Sequence, residues 1–106
     1  MSSPNFDINN IDWENSELVT ENLVYFINKI LFHDFVNNRN YNKDFKNILD
    51  TNISILNTFK NKGANFHSYN KNNINAKMAI GYVIYCLRDY SSQKNVKDIV
   101  KILETF

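Results

Sequence analysis

Apolar residues recur along most of this chain at steps of three and four, the spacing of one helix face. Leu18, Val19, Leu23, Phe26, Ile27, Ile30, Leu31, Phe32 and Phe35 form a stripe broader than a surface helix needs. That spacing predicts a helix over about 16–37, lying centrally and touched by neighbours on more than one side. Asn15 or Ser16 is placed to cap it, since either side-chain oxygen can accept a backbone N–H of the first turn. Glu17 and Glu21 then sit near the positive end of the helix dipole.

A second helix is expected over about 41–62, where Tyr41, Phe45, Ile48, Leu49, Ile53, Leu56 and Phe59 keep the same period. Gly63, after Lys60 and Lys62, reads as the left-handed residue that stops it. A third helix is expected over about 74–89, with Ile74, Met78, Ala79, Tyr82, Val83, Cys86, Leu87 and Tyr90 as its inward stripe. Gly81 within it costs about 1 kcal/mol relative to alanine, which points to close approach of another helix. The fourth, over about 92–104, is capped by Ser91 or Ser92 and turns Val96, Ile99, Val100 and Leu103 inward. The short "YSS" connection favours antiparallel packing of the last two helices. Residues 1–14 lack a clean period but carry Phe6, Ile8, Ile11 and Trp13 as anchors. The expected fold is all-α: a compact, single-domain bundle of four main helices over residues 1–106. An N-terminal arm packs across it, with room for a fifth, short turn.

Composition supports the helical reading. Two glycines and one proline in 106 residues are too few for a sheet-rich fold with many tight turns. The abundant Asn, Ile, Lys, Phe and Tyr all have A/T-rich codons, so the asparagine content is first read as codon bias. Cys86 stands alone, cannot form an internal disulfide, and reads as a small buried hydrophobe in a reducing compartment. The N-terminus lacks the basic and apolar regions of a signal peptide. No apolar run approaches the roughly 18 residues of a membrane span. A cytoplasmic protein is therefore expected, and Asn52-Ile53-Ser54 is read as a chance glycosylation match.

Net charge is +1, but its distribution is uneven. The first 28 residues carry five acidic and no basic side chains; the rest carries twelve basic against six acidic. Catalytic chemistry has little to work with. His33 and His67 are isolated, and His33 and Asp34, adjacent on a helix, point about 100° apart. Neither metal-ligand spacings nor a Gly-rich phosphate loop occurs. The expectation is no enzyme activity, no catalytic residues, no metal and no cofactor.

Two patches are candidates for partner binding. Asp12, Trp13, Glu14, Glu17 and Glu21 form an acidic ridge around the single tryptophan, with the three glutamates on one face if the helix extends back to residue 14. Phe66, His67, Tyr69 and Lys71 form an aromatic loop. The structural alternatives are a solvated helix start with Trp13 in the core, and Phe66 or Tyr69 covering the bundle end. The lysines are diffuse and only Arg39 and Arg88 could grip phosphate bidentately, which argues against nucleic acid. The function expected is that of a small non-catalytic protein that binds and neutralises a cognate protein. The type is that of a bacterial immunity protein occluding the active site of a toxin, for instance a nuclease. The alternatives are a viral or phage helical protein that binds a host factor, or a weak nucleic-acid-binding module.

Overall fold

Helix α1 (Ser16–Tyr25) begins at Asn15, whose side chain accepts the Leu18 N–H at 3.2 Å. Of the two candidate caps, Asn15 performs the role. The computed structural model describes residues 6–37, 45–90 and 94–106. Past Tyr25 the helical path continues to residue 37 but changes its winding, through two π-helical segments, Phe26–Leu31 and His33–Asn37. The Phe32 N–H, for example, reaches back five residues to the Ile27 carbonyl.

A physical reason for the wider winding lies in the sequence. Val19, Leu23, Ile27, Leu31 and Phe35 stand at every fourth position, and all five are buried. An α-helix turns 100° per residue, so such a row drifts about 40° per step. From Val19 to Phe35 an unbroken α-helix would swing the row about 160°, out of the core. More residues per turn remove most of that drift.

Helix α2 (Phe45–Asn61) turns Leu49, Asn52, Leu56 and Phe59 inward. It ends as the sequence indicated: Gly63 has φ +87°, its N–H bonds the Lys60 carbonyl, and the Ala64 N–H bonds the Phe59 carbonyl. This is the Schellman pattern, available because glycine has no Cβ penalty there. Asn52, read as a chance glycosylation match, lies 2% exposed inside the fold. Its amide donates to the Asp34 carboxylate at 3.0 Å and to the Ile48 carbonyl at 2.9 Å, tying α2 to the π-helical end of the long helix. Helix α3 (Ala76–Leu87) is followed by a 3₁₀ turn, Arg88–Tyr90. Helix α4 (Lys94–Leu103) buries Val96, Ile99 and Leu103 and packs back on α3.

The arm forms a 3₁₀ turn over Ile8–Asn10 and lies across the bundle. Phe6 packs on Phe26 and Phe59, with ring centroids 5.2 and 6.1 Å away, and Trp13 meets Phe59 edge-on at 5.2 Å. Each such ring pair contributes about 0.5–1.5 kcal/mol beyond the area it buries. All regular structure among the described residues is helical: four helices in a compact globule with an N-terminal 3₁₀ turn. Among the same residues, no helix is long and apolar enough to cross a membrane. Tyr41, the Ser91 or Ser92 cap and the side chain of Tyr90 lie outside the described residues.

Five expectations are corrected. Helix α3 begins at Ala76, later than the expected residue 74, because Asn75 caps it by accepting the Met78 N–H at 2.8 Å, while Asn73 sits in the left-handed region at φ 61°. Glu14 stands in the turn before α1, its N–H held by the Asp12 carboxylate, and is not on the helix with Glu17 and Glu21. Cys86 is half-buried rather than enclosed. Finally, α3 buries Ala76, Ala79, Ile80, Val83 and Leu87, so Met78 and Tyr82 point outward. Gly81 is on this outward side, where an added Cβ would meet nothing within 4 Å. Among the described residues, no helix approaches it closely. Gly81→Ala is therefore expected to stabilise the protein by about 1 kcal/mol in urea unfolding, because it removes only the entropic penalty of a mid-helix glycine.

Candidate interaction surface

Asparagine side chains give the loop from Gly63 to Asn75 its shape. Asn65 accepts the His67 N–H at 2.9 Å, and Asn70 accepts the N–H groups of Asn72 and Ile74 at 2.9 and 3.0 Å. Asn75, itself buried, donates to the His67 carbonyl at 3.4 Å while capping α3. These bonds do locally what turn glycines would do elsewhere. Asparagine thus has a structural task here beyond any codon bias.

The folded loop brings members of the two candidate patches together. Glu21 on α1 accepts the Lys71 N–H at 2.7 Å, a charge-assisted bond. Around that contact Glu17, Leu18, Glu21, Tyr69, Asn70 and Lys71 line a cleft of about 440 Å³. Tyr69 is 62% exposed and Leu18 46%, so its rim combines apolar surface with the charges of Glu17, Glu21 and Lys71. His67 is exposed beside it.

The remaining patch residues do not join this cleft. Phe66 is buried and stacks on Phe106 at 6.1 Å, so it closes the bundle end instead of offering a contact surface. Trp13 is half-buried against Phe59, with the Lys62 ammonium 5.9 Å from its ring centre. It anchors the arm. Asp12 and Glu14 are exposed in the turn between arm and helix.

A second feature was not anticipated. Met78, Tyr82 and Tyr85 stand outward along α3, with exposures of 50, 57 and 72%. Tyr82 stacks nearly flat on Phe32 at 5.6 Å and continues to Tyr85 at 6.5 Å. The Cys86 thiol, hydrogen-bonded to Tyr82, pushes the phenol above the ordinary tyrosine range, and neighbouring Tyr85 adds to the shift. The Tyr82 hydroxyl is therefore neutral at physiological pH. The sequence did hold a signal for this row: from Ala76 to Leu87 only Lys77 is charged. A helix that is apolar all round must either be wrapped completely or expose part of its apolar surface.

Among the described residues, the large apolar side chains that are exposed are Leu18, Tyr69, Met78, Tyr82 and Tyr85. All belong to α1, α3 or the loop leading into α3. The loop meets α1 at Glu21 and Tyr82 meets the long helix at Phe32, so α1 and α3 run side by side in one direction. The outward residues of α2 are polar throughout, among them Lys46, Asn47, Asp50, Ser54 and Asn57. On α4 an open groove is lined by Arg88, Lys97, Val100, Lys101 and Glu104, and its Arg88–Glu104 pair, 3.6 Å apart, is exposed. Such a pair contributes little stability.

Among the described residues, His, Cys, Asp and Glu nowhere gather in threes that could hold a metal ion. No family model matches the sequence, and neither a curated protein nor a solved structure matches it. The two loop aromatics are expected to separate cleanly on substitution. Phe66→Ala should cost about 3–5 kcal/mol in chemical unfolding through the cavity it leaves, whereas Tyr69→Ala should stay within about 0.5 kcal/mol.

Proposed function

We propose that the protein acts by binding another protein, through the face formed by α1, α3 and the loop between Gly63 and Asn75. The supporting observation is that, among the described residues, the exposed large apolar side chains are confined to that face, while α2 turns a polar surface to solvent. Contiguous apolar surface rimmed by polar groups is characteristic of interaction sites. Tyrosine suits the role: a large rigid ring carries a hydroxyl that stays satisfied whether wet or docked. Glu17 and Glu21 at one end add a negative rim that favours a basic partner surface and speeds its approach.

In its specific form, this proposal makes the chain a non-catalytic inhibitor of the immunity type. A rigid helical body seats this face on a toxin and blocks access to its active site. The diffuse lysines and the open α4 groove favour a nucleic-acid reading less, because bidentate phosphate grip needs more arginine than they offer.

Sequencing the genes that flank this one, and co-expressing the chain with any toxin found there, tests the reading. Growth should be restored by the wild-type chain and lost with the double variant Tyr82→Ala/Tyr85→Ala. That variant should retain its helical circular dichroism and bind the toxin roughly 30-fold more weakly, the loss expected for two central tyrosines. Full rescue by the double variant would remove this face from the proposal. Micromolar DNA or RNA binding with a steep salt slope would replace it with the nucleic-acid reading.

A further inference from the structure

The outward side of the long helix has a pattern of its own. Glu17, Glu21, Tyr25, Lys29 and His33 stand at every fourth position, the same interval as the buried row behind them. Glu17, Lys29 and His33 are exposed, and Glu21 and Tyr25 are half-buried. The row reads acid, acid, tyrosine, base, base. Glu21 and Lys29 are separated by about 12 Å of helix, too far to pair with each other. Among the described residues, neither Lys29 nor His33 forms an ion pair.

Reversing such a row and laying it on itself sets an acidic residue opposite a basic one at every position but the central tyrosine. We infer that this face is self-complementary, and that two copies of the chain associate through antiparallel long helices crossing near Tyr25. Glu21 of each copy then faces Lys29 of the other, and Glu17 faces His33. A twofold contact of this kind is isologous, so each pairing occurs twice. The same rotation carries Tyr82 and Tyr85, level with Phe32, onto the Leu18–Tyr69 end of the second copy.

The available area is adequate for a modest dimer. Tyr69, Tyr82 and Tyr85 are 62, 57 and 72% exposed. At about 150–250 Å² for a whole aromatic side chain, they offer about 300–500 Å². Leu18 and Met78 bring this toward the roughly 800 Å² per partner of a standard interface. The contact does not depend on the partner reading; where both hold, a second copy and a partner protein compete for one face.

Sedimentation equilibrium of the full chain between about 10 μM and 1 mM reads the dimer directly. A dimer is expected, weakened as salt rises from about 0.05 to 0.5 M. Lys29→Glu and Glu21→Lys should each weaken self-association by about tenfold or more, since each sets like charges opposite one another twice. Mixing the two variants should recover a heterodimer of near wild-type affinity, because every facing pair is again opposite in sign. Glu21 also holds the loop at Lys71, so the Tm of that variant is checked. If it fails to fold, Lys29→Glu with Tyr85→Ser, both at exposed positions, carries the test and should abolish the dimer. A wild-type chain that stays monomeric at about 1 mM in low salt would overturn the proposal. So would a dimer indifferent to Lys29→Glu, or two folded variants that fail to recover on mixing.

Discussion

The structure depends on keeping one row of side chains in the core for the length of the longest helix. Val19, Leu23, Ile27, Leu31 and Phe35 have four-residue spacing, which α-geometry cannot hold on one side for so long. The helix answers by winding more widely from Phe26 onward. Phe35 is then still 1% exposed, and Asp34 lies where Asn52 of α2 can reach it. Pulling the inward row straight also straightens what lies opposite, so the outward residues hold a line instead of spiralling round the bundle. The core thus determines the shape of the surface.

Around that helix, the loop into α3 does work that glycine and proline usually do. Only Gly63 takes a conformation that demands glycine; beyond it, side chains of Asn65, Asn70 and Asn75 collect the free backbone N–H groups. The residue reached by positive φ is Asn73, one of the few types that tolerate it. These local bonds set where α3 begins, and the Glu21–Lys71 contact sets where the loop meets α1. The register of α3 against the long helix, and with it the stacking of Tyr82 on Phe32, rests on this set of asparagines.

Much of this was legible from residue spacing. The four helices, a first cap at Asn15 or Ser16 and the Gly63 stop follow from short-range rules in which one residue and its near neighbours decide the outcome. The orientation of α3 was not legible in the same way. Its segment is apolar on almost every side, so periodicity selects no inward direction, and Met78 and Tyr82 were assigned inward with as much pattern support as Ile80. In the fold the side carrying Ala76, Ala79, Ile80, Val83 and Leu87 is the buried one, and the bulky tyrosines stay outside. Gly81 carries the same ambiguity, since glycine marks close approach only if its side of the helix is known. The winding of the long helix was hidden because a four-residue period satisfies the test for an α-helix over any short window and fails only over the full length. At the candidate site, Glu17, Glu21, Tyr69 and Lys71 were named from sequence as two separate patches, but their meeting depends on the folded loop. Phe66 and Tyr69 looked equivalent until Phe106, forty residues further on, covered one of them.

An exposed tyrosine row could be only the residue of imperfect packing, and the charges on α1 only its complement to the helix dipole. The dipole accounts for Glu17, in the first turn, and its influence fades within about a turn of either end. It gives no reason for Glu21 and Lys29 to change sign across Tyr25 in the middle of the helix. Imperfect packing fares no better with α3. Three large side chains on one face, with a glycine among them and two rings stacked in series from Phe32, leave a flat strip that no other element of the chain covers among the described residues. Keeping such a strip wet forgoes the burial of three large side chains, each worth about 1.5–3 kcal/mol if enclosed. A fold that encloses Phe26, Phe35 and Phe59 almost completely is able to bury aromatics. The tyrosines it leaves outside are most simply explained by a surface that arrives from another molecule.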